Sequence, residues 1–430
     1  MPGNPIGGCA MTLTYGWPTD QLTTDPRLAY NSISKTFCRQ VYESLLDVDP
    51  GSGELLPWLA TSWRYRDQLT LDLEIRADRA FSDGTPLTPT AVAQSFTEIR
   101  ALERVSPLPA AVTMLTGLDR VDTDGDTVTF RFTRHNAAFL RSLASVNLAI
   151  TSRAGLGTGR WARTAEGLRD GARRLIFQKS VSGDLYPGPV DGFAAAALDN
   201  PGISYGLCPN ASRGLLADPR IRRALSLLID RPRLQPLLDP SGYSVATSVL
   251  TPPTLDYRDC TAELTYDPAT AHRLLDGRRP RFEVVFNSTF SPVDTAVLNA
   301  VAAQWADHGV ELALCDVDFP ELRRRQESGD YDFRFFYFTG SDPDVLRYQF
   351  AVTQRNMNRR TEPDELDTLL DAQLTCADPA ARRELVHDTQ RRIVGDGLWL
   401  PLCNVHTVTS YRPDVLSGVY LDAEALARIP

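Results

Sequence analysis

Strand and helix patterns alternate along one stretch of the second half of the sequence, with short connections between them. Residues 282–286 read as a strand, and residues 294–308 have helical spacing that ends at Gly309, a residue suited to a helix C-terminus. Residues 310–317 then give a second strand pattern and residues 319–327 a second helix pattern. Such alternation is typical of an open sheet covered by helices, so the sequence predicts an α/β fold.

Similar patterns occur in the rest of the chain. A first strand is predicted at residues 11–16, where alternation stops at a Gly-Trp-Pro sequence. Further strands are predicted at residues 69–75 and 127–132, and further helices at residues 34–46, with Ser34 as N-cap, 88–99 and 218–228. The sequence contains no internal repeat. Its 430 residues are enough for two or three packed lobes.

Charge and hydropathy exclude two classes of partner. The net charge of −9 argues against nucleic acid, because phosphate binding needs a basic surface. No window of the sequence approaches the ~18 apolar residues that a membrane-spanning helix needs. We therefore expect no nucleic-acid partner and no membrane insertion.

The cysteines and the first residues bear on metal binding and location. Seven scattered cysteines form no pair or Cys/His cluster at metal-binding spacing, so we expect no metal and no cofactor. An odd, scattered set fits reduced thiols. The first residues show neither the basic start nor the apolar run of a secretory signal. These features predict a cytoplasmic protein, with an extracellular or lipid-anchored one as the alternative if a signal was removed.

Several short segments match one family's pattern, and they occur in the family's order. In the first half they are Val41–Leu45 with Leu56–Trp63, Phe81–Thr88 (FSDGTPLT) and Gly157–Trp161 (GTGRW). In the second half they are Asp218–Arg231, Tyr266–Leu275 (YDPATAHRLL), Gly329–Asp332 (GDYD) and Trp399–Leu402 (WLPL). Together, from about residue 12 to residue 420, they resemble the peptide/nickel/oligopeptide class of bacterial solute-binding proteins, family 5.

The resemblance implies a specific α/β fold. It is the two-lobed periplasmic-binding-protein-like fold, type II, of the peptide-binding class, with a hinge and an interlobe cleft that closes on a small ligand. Lobe I would comprise residues 10–205 completed by residues 405–430. Lobe II would comprise residues 206–404.

Two departures from the family pattern affect the expected ligand. Peptide-binding members carry an Asp in a WxADYPDP pattern that pairs with the ligand's amino group, and Thr339 stands at that position when the chain is anchored on Asp342 and Pro343. A shifted register would instead make Asp342 or Asp344 the cation partner. The segment after Trp161 is also short, with little room for the family's third subdomain. We therefore expect an amino-acid-like ligand.

The resemblance also suggests candidate site residues, each with a structural alternative. Candidate catalytic groups are Glu43, Asp342 and Asp344, although Glu43 also suits a structural ion pair and the Asp-Pro-Asp sequence suits a turn. Candidate ligand-binding residues are Trp17, Tyr42, Asn210, Tyr337, Phe338, Thr339 and His406. Of these, Trp17 equally fits packing inside a lobe, and Asn210 equally fits hydrogen bonding to backbone.

Two functional hypotheses follow. Some bacterial biosynthetic enzymes resemble solute-binding proteins without export signals, among them Pictet–Spengler cyclases. We therefore expect a cytosolic enzyme that condenses or cyclises an aromatic amine with an aldehyde, using a closed site and one carboxylate as acid or base. The alternative is a non-enzymatic substrate-binding component of a peptide/nickel-class ABC transporter, with the transporter permease as partner.

Overall fold

A computed structural model describes residues 11–17, 22–105, 108–180, 182–198, 202–238, 242–288 and 292–430. The chain divides into two compact units: Met1–Ala197 with Val408–Pro430, and Leu198–Thr407. We call them unit 1 and unit 2. The lobe boundaries expected from the sequence, 10–205 with 405–430 and 206–404, stay a prediction.

The helices and strands are spread along both units. The helices are α1 (Ser32–Val41), α2 (Pro89–Arg100), α3 (Ala110–Met114), α4 (Phe139–Ser142), α5 (Pro219–Leu227), α6 (Pro268–Leu275), α7 (Pro292–Ala306), α8 (Phe319–Ser328), α9 (Val345–Phe350), α10 (Glu365–Thr375) and α11 (Pro379–Gly395). The strands of unit 1 that precede unit 2 are β1 (Thr12–Trp17), β2 (Leu46–Val48), β3 (Leu55–Pro57), β4 (Ala60–Asp67), β5 (Thr70–Ile75), β6 (Leu118–Asp124), β7 (Thr127–Phe132), β8 (Ala162–Thr164), β9 (Gly167–Asp170), β10 (Arg173–Lys179), β11 (Leu185–Pro187) and β12 (Ala194–Ala197). The remaining strands are β13 (Ile203–Pro209), β14 (Tyr243–Val245), β15 (Arg281–Phe286), β16 (Glu311–Asp316), β17 (Phe333–Phe338), β18 (Leu400–Val405), β19 (Val408–Tyr411), β20 (Tyr420–Leu421) and β21 (Ala427–Arg428).

Unit 1 contains a seven-stranded sheet in the order β12-β19-β11-β1-β10-β9-β8. The first strand, β1, lies near its middle and pairs in parallel with β10 and β11. The later strand β19 pairs with β11 and β12, so the C-terminal segment completes this sheet. The sheet is therefore built from pieces far apart in sequence.

A second, antiparallel sheet of unit 1 has the order β4-β5-β7-β6 and its own hydrophobic core. Phe130 is central to that core, with ring centroids 4.8 Å from Phe96 and 5.1 Å from Phe139. This small sheet precedes Trp161. The sequence predicted two of its strands, at residues 69–75 and 127–132, but not that they belong to a separate sheet.

Unit 2 contains a mixed sheet in the order β14-β18-β13-β17-β15-β16. β15 pairs in parallel with β16 on one side and with β17 on the other, and α7 and α8 connect these strands in sequence. This is the strand–helix alternation that the sequence predicted. Its core includes Trp305, whose ring lies 5.6 Å from that of Phe333 and whose indole NH donates to the carbonyl of Leu225.

The first helix ends earlier than the sequence predicted. Helix α1 stops at Val41 instead of residue 46, and its N-cap is Asn31, which accepts a hydrogen bond from the amide of Ser34. The amide of Gly159 donates to the Val41 carbonyl at 2.9 Å, which occupies the acceptor that a continuing helix would use. The chain after Val41 is therefore extended.

Candidate functional site

Three of the predicted ligand-binding residues lie at or directly after the end of strand β17. Tyr337 is half-buried, and its ring stacks on that of its cross-strand neighbour Tyr205, with centroids 5.1 Å apart. Thr339 is also half-buried and follows the strand. The side chain of Phe338 lies outside the described part. The segment thus presents a stacked tyrosine pair beside a polar turn.

The Asp-Pro-Asp turn that follows is bound into a network of buried ion pairs. Asp342 accepts from the guanidinium of Arg382 at 2.7 and 3.2 Å, and Asp344 accepts from that of Arg347 at 2.7 and 2.8 Å. Gln373 links the pairs, because its amide NH₂ donates to Asp344 at 2.9 Å and its amide oxygen accepts from Arg382 at 3.2 Å. The structure therefore brings the two candidate carboxylates together, but each of them is paired with an arginine side chain of the protein itself.

This arrangement limits what Asp342 and Asp344 can do chemically. Their side chains are only 11% and 12% exposed. Burial raises the pKa of Asp344, against the opposing effect of Arg347. A raised pKa suits a general acid, yet both oxygens of Asp344 already accept hydrogen bonds from the protein. Proton transfer to a ligand would first require these contacts to break.

Asn210 lies just after β13 and bonds to the backbone of its own unit. Its amide NH₂ donates to the carbonyls of Gly329 and Tyr331 at 3.0 and 3.3 Å. Its amide oxygen accepts from the amide and the hydroxyl of Ser212 at 3.2 and 2.8 Å. The side chain is 2% exposed. These contacts are the structural alternative considered for Asn210, and its role in binding a ligand stays a prediction.

Tyr42 is one of two candidates from the first signature segment, and it follows α1. Its hydroxyl donates to the carbonyl of Gly155 at 3.0 Å, which ties the end of α1 to the glycine-rich segment. The ring is 1% exposed, and burial raises the pKa of the phenol to about 12. In this structure Tyr42 is a neutral hydrogen-bond donor inside unit 1.

Glu43 is held by one hydrogen bond and one weaker ion pair. Its carboxylate accepts from the indole NH of Trp58 at 3.0 Å, and a guanidinium nitrogen of Arg79 lies 3.9 Å away. The second carboxylate oxygen is buried and has no hydrogen-bond partner among the described residues. Glu43 is thus the one candidate carboxylate that keeps an unused oxygen, and no sequence signal identified Arg79 beside it.

The last two candidates lie at strand ends. Trp17 is half-buried at the end of β1, where its carbonyl accepts from the amide of Ser180 at 2.8 Å. His406 is half-buried after β18, and its amide donates to the carbonyl of Gly242 at 2.8 Å. Their part in ligand binding stays a prediction.

A cavity of about 410 Å³ opens on unit 1 beside the DGTP turn, lined by residues that include Phe81, Asp83, Pro86, Gln94 and Arg153. Gly84 has a φ of +86°, as the turn requires. Asp83 accepts from the amide of Thr85, and this bond lowers the pKa of its carboxyl. Asp83 is thus a residue that stabilises the turn.

The described residues also bear on metal binding and on membrane insertion. Within the described ranges, no three His, Cys, Asp or Glu side chains converge on a point that would hold a metal ion. Among the helices of those ranges, none combines the length and the apolar character needed to cross a membrane.

Comparison with known families gives a match over most of the chain. The sequence profile described as "Bacterial extracellular solute-binding proteins, family 5 Middle" matches residues 54–173 and 178–358. Among individual relatives, the "Probable ABC transporter periplasmic-binding protein SapA" of Escherichia coli (strain K12) is 25% identical over 470 residues, which is 89% of this chain and 85% of that protein. The "Probable di/tripeptide-binding protein 5" of Pseudomonas aeruginosa is 27% identical over 217 residues; that match spans 48% of this chain but only 41% of the relative.

Solved structures share the fold over nearly the whole chain. A dipeptide-binding protein from Pseudoalteromonas sp. SM9913, in complex with Met-Leu, has a TM-score of 0.82 at 15% identity, covering 98% of this chain and all of that one. NikZ from Campylobacter jejuni, in complex with Ni(L-His), has a TM-score of 0.81 at 15% identity, covering 96% and 97%. At these identities the likeness concerns the fold, which is the two-lobed type II fold that the sequence predicted.

These matches bear differently on the two functional hypotheses. The matched proteins named above are described as binding or transport proteins, and they give no support to a Pictet–Spengler or other cyclising enzyme. The family profile, in contrast, covers well over half of the sequence and overlaps the FSDGTPLT, GTGRW, YDPATAHRLL and GDYD segments. The chain belongs to family 5 of the bacterial extracellular solute-binding proteins.

Proposed function

We propose that this protein is the substrate-binding component of an ABC importer of the peptide/nickel class. The main support is the extent of the resemblance, because the family profile spans residues 54–173 and 178–358 and the fold likeness covers 98% of the chain. An importer's binding component needs a folded site for a small ligand and no catalytic group. That requirement is compatible with everything described for the candidate residues.

The buried ion pairs favour a binding protein over an enzyme. A cyclase needs a carboxylate that is free to exchange a proton with the substrate. Asp342 and Asp344 are instead paired with Arg382 and Arg347, where breaking either pair would leave a buried charge. Glu43 has one unused oxygen, but a single buried oxygen is a weak basis for acid–base chemistry.

The ligand that we propose is an amino-acid-like molecule, either a free amino acid or a short peptide. The relative named as a probable di/tripeptide-binding protein and the structure solved with Met-Leu support this class. The stacked pair Tyr205 and Tyr337 offers aromatic surface beside the turn where peptide-binding members carry an Asp. Thr339 at that position favours ligands that do not depend on an ion pair with a free amino group.

The proposed partner and location follow from this function. An importer's binding component delivers its ligand to a permease from outside the cytoplasm, so we propose an extracytoplasmic location in place of the cytoplasmic one. Fractionation of the native organism with an antibody against the protein tests this. Recovery in the cytoplasmic fraction would contradict the location, and with it the importer role.

One pair of measurements tests binding against catalysis. The purified protein is screened by thermal unfolding against free amino acids and dipeptides, and each stabilising compound is then titrated calorimetrically. In parallel, mass spectrometry follows mixtures of aromatic amines and aldehydes with and without protein. We expect at least one compound to bind and to remain unchanged. Protein-dependent appearance of an amine-plus-aldehyde product, with the mass of one water lost, would overturn the proposal.

A further inference from the structure

Two arginines of unit 2 contact the same aromatic ring. The guanidinium carbon of Arg334, on β17, lies 4.4 Å from the centroid of Phe336, and that of Arg355 lies 4.8 Å from it. Arg334 is 2% exposed, whereas Arg355 is half-buried in the loop after α9. Two cations therefore share one small region at the edge of a hydrophobic core.

The buried guanidinium of Arg334 is poorly supplied with hydrogen-bond acceptors. Its Nη2 donates to the carbonyl of Met357 at 3.3 Å. Its Nε and Nη1 are buried and have no oxygen or nitrogen acceptor among the described residues, although the thiol of Cys208, a weak acceptor, interacts with this guanidinium. Within the described ranges, Arg334 is the only arginine in which two buried nitrogens have no hydrogen-bond partner.

Among the described residues, no carboxylate pairs with Arg334 or Arg355, and the Nη1 of Arg355 donates to the amide oxygen of Gln349 at 3.0 Å. Burial lowers the pKa of Arg355, and the nearby Arg334 lowers it further. The groups that favour its charged form are Tyr348, Cys208 and Tyr331, and burial itself raises the pKa of Cys208 and of Tyr331, which keeps both neutral. Within the part of the chain that the structure describes, the cluster therefore carries a net positive charge without an acidic partner.

Other buried arginines of unit 2 are compensated. Arg382 and Arg347 pair with Asp342 and Asp344. Arg231, which pairs with no carboxylate of the described residues, donates instead to the carbonyls of Pro401, Ser226, Ile229 and Leu264 and to the Ser226 hydroxyl. Among the described residues, Arg334 has no carboxylate partner and one backbone carbonyl partner, and cation–π contact with Phe336 supplies no acceptor for its remaining N–H groups.

We propose that Arg334 and Arg355 bind the oxyanion of a small ligand, a carboxylate or phosphate group that enters at the half-buried Arg355. An oxyanion supplies the missing acceptors and the missing negative charge together. The site is built from residues of unit 2 and is independent of the ligand proposed for transport.

The test uses thermal unfolding of the full-length protein in acetate, phosphate and chloride at equal ionic strength. We expect acetate or phosphate, but not chloride, to raise the melting temperature saturably, by about 2 °C or more at a saturating concentration. The acetate and phosphate arms show which oxyanion is preferred. Arg355→Ala should remove most of the shift, because it deletes one cation at the accessible side. Arg281→Ala, which removes an exposed unit 2 arginine paired with Glu311, should keep the full shift.

A second measurement needs no variant. Crystals of the wild-type protein soaked in selenate should show an anomalous peak within hydrogen-bonding distance of Arg334 and Arg355. If Arg355→Ala fails to fold, this peak decides the matter. Equal stabilisation by chloride, a full shift in Arg355→Ala, or soaked crystals without the peak would each overturn the proposal. None of these results depends on a transported ligand.

Discussion

The carboxylate of Asp342 receives two hydrogen bonds from the guanidinium of Arg382, forty positions later in the chain, at 2.7 and 3.2 Å. Asp342 belongs to the turn after β17, and Arg382 lies in the first turns of α11. The pair therefore fastens the predicted ligand-binding turn to a helix of the same unit. With side chains 11% and 8% exposed, it is one of the best-shielded ion pairs of unit 2.

We expect Asp342→Asn to destabilise the protein by about 3–5 kcal/mol, because Arg382 would remain buried without its counter-charge. Asp330→Asn is the matched control, since Asp330 pairs with Arg213 at an exposed site and should cost at most ~1 kcal/mol. Urea unfolding followed by circular dichroism measures both.

The double variant Asp342→Leu with Arg382→Met separates charge from packing. Replacing both partners removes the unpaired charge, so we expect it to be more stable than Asp342→Asn. If the double variant were less stable than Asp342→Asn, the pair would contribute to stability through the shape of the turn and not through charge balance.

The second prediction concerns Gly157, where the surrounding atoms leave no room for a side chain. A Cβ atom at this residue would lie 2.0 Å from the carbonyl oxygen of Val41 and 2.7 Å from the ring of Tyr42. Since backbone cannot yield as a flexible side chain can, we expect Gly157→Ala to cost about 3 kcal/mol or more, or to prevent folding. Gly51→Ala, whose added Cβ would meet only a side-chain atom of Asp49 at 3.4 Å, should be within about 1 kcal/mol of wild type. Equal stability of the two variants, measured by urea unfolding, would contradict the close approach.

The sequence predicted local elements well where capping and periodicity act within a few residues. Helix α5, predicted at residues 218–228, spans Pro219–Leu227, and α8, predicted at residues 319–327, spans Phe319–Ser328. The end of α1 could not be predicted in this way. It depends on the amide of Gly159, more than a hundred residues later, which takes the carbonyl of Val41.

The candidate site shows the same limit. Family motifs located the turn at Asp342 and Asp344, but they did not reveal the partners in α9, α10 and α11 that neutralise it. Long-range ion pairs leave no periodic signal in the sequence. The two arginines beside Phe336 were likewise unremarkable in sequence, since only the structure shows that the Nε and Nη1 of Arg334 are buried without an oxygen or nitrogen acceptor among the described residues.

Asn210 gives a third prediction, which separates its two possible roles. Because its amide makes four hydrogen bonds within unit 2, we expect Asn210→Ala to lose about 2 kcal/mol of stability. Once a ligand is known, calorimetric titration well below the melting temperature should give an unchanged Kd if the role is structural. A Kd raised tenfold or more in a folded variant would instead make Asn210 a ligand contact.

The last prediction concerns the C-terminal segment and its contribution to the stability of unit 1. The side chain of Gln40 makes two hydrogen bonds to this segment. Its amide NH₂ donates to the carbonyl of Ala427 at 2.6 Å, and its amide oxygen accepts from the amide of Ile429 at 3.0 Å. Neighbouring Arg39 pairs with Asp422 at 2.7 Å, with side chains 5% and 4% exposed.

Deleting residues 420–430 would therefore leave Arg39 buried without its carboxylate and Gln40 without two partners. We expect this deletion to destabilise unit 1 by several kcal/mol, roughly the sum of one broken buried ion pair and two lost hydrogen bonds. Hydrogen exchange followed by mass spectrometry should show faster exchange in unit 1 peptides, including those of α1, with unit 2 peptides such as those of α7 unchanged. Gln40→Ala should give a smaller change in the same peptides. Equal acceleration across both units would mean that the segment supports the whole chain and not unit 1 alone.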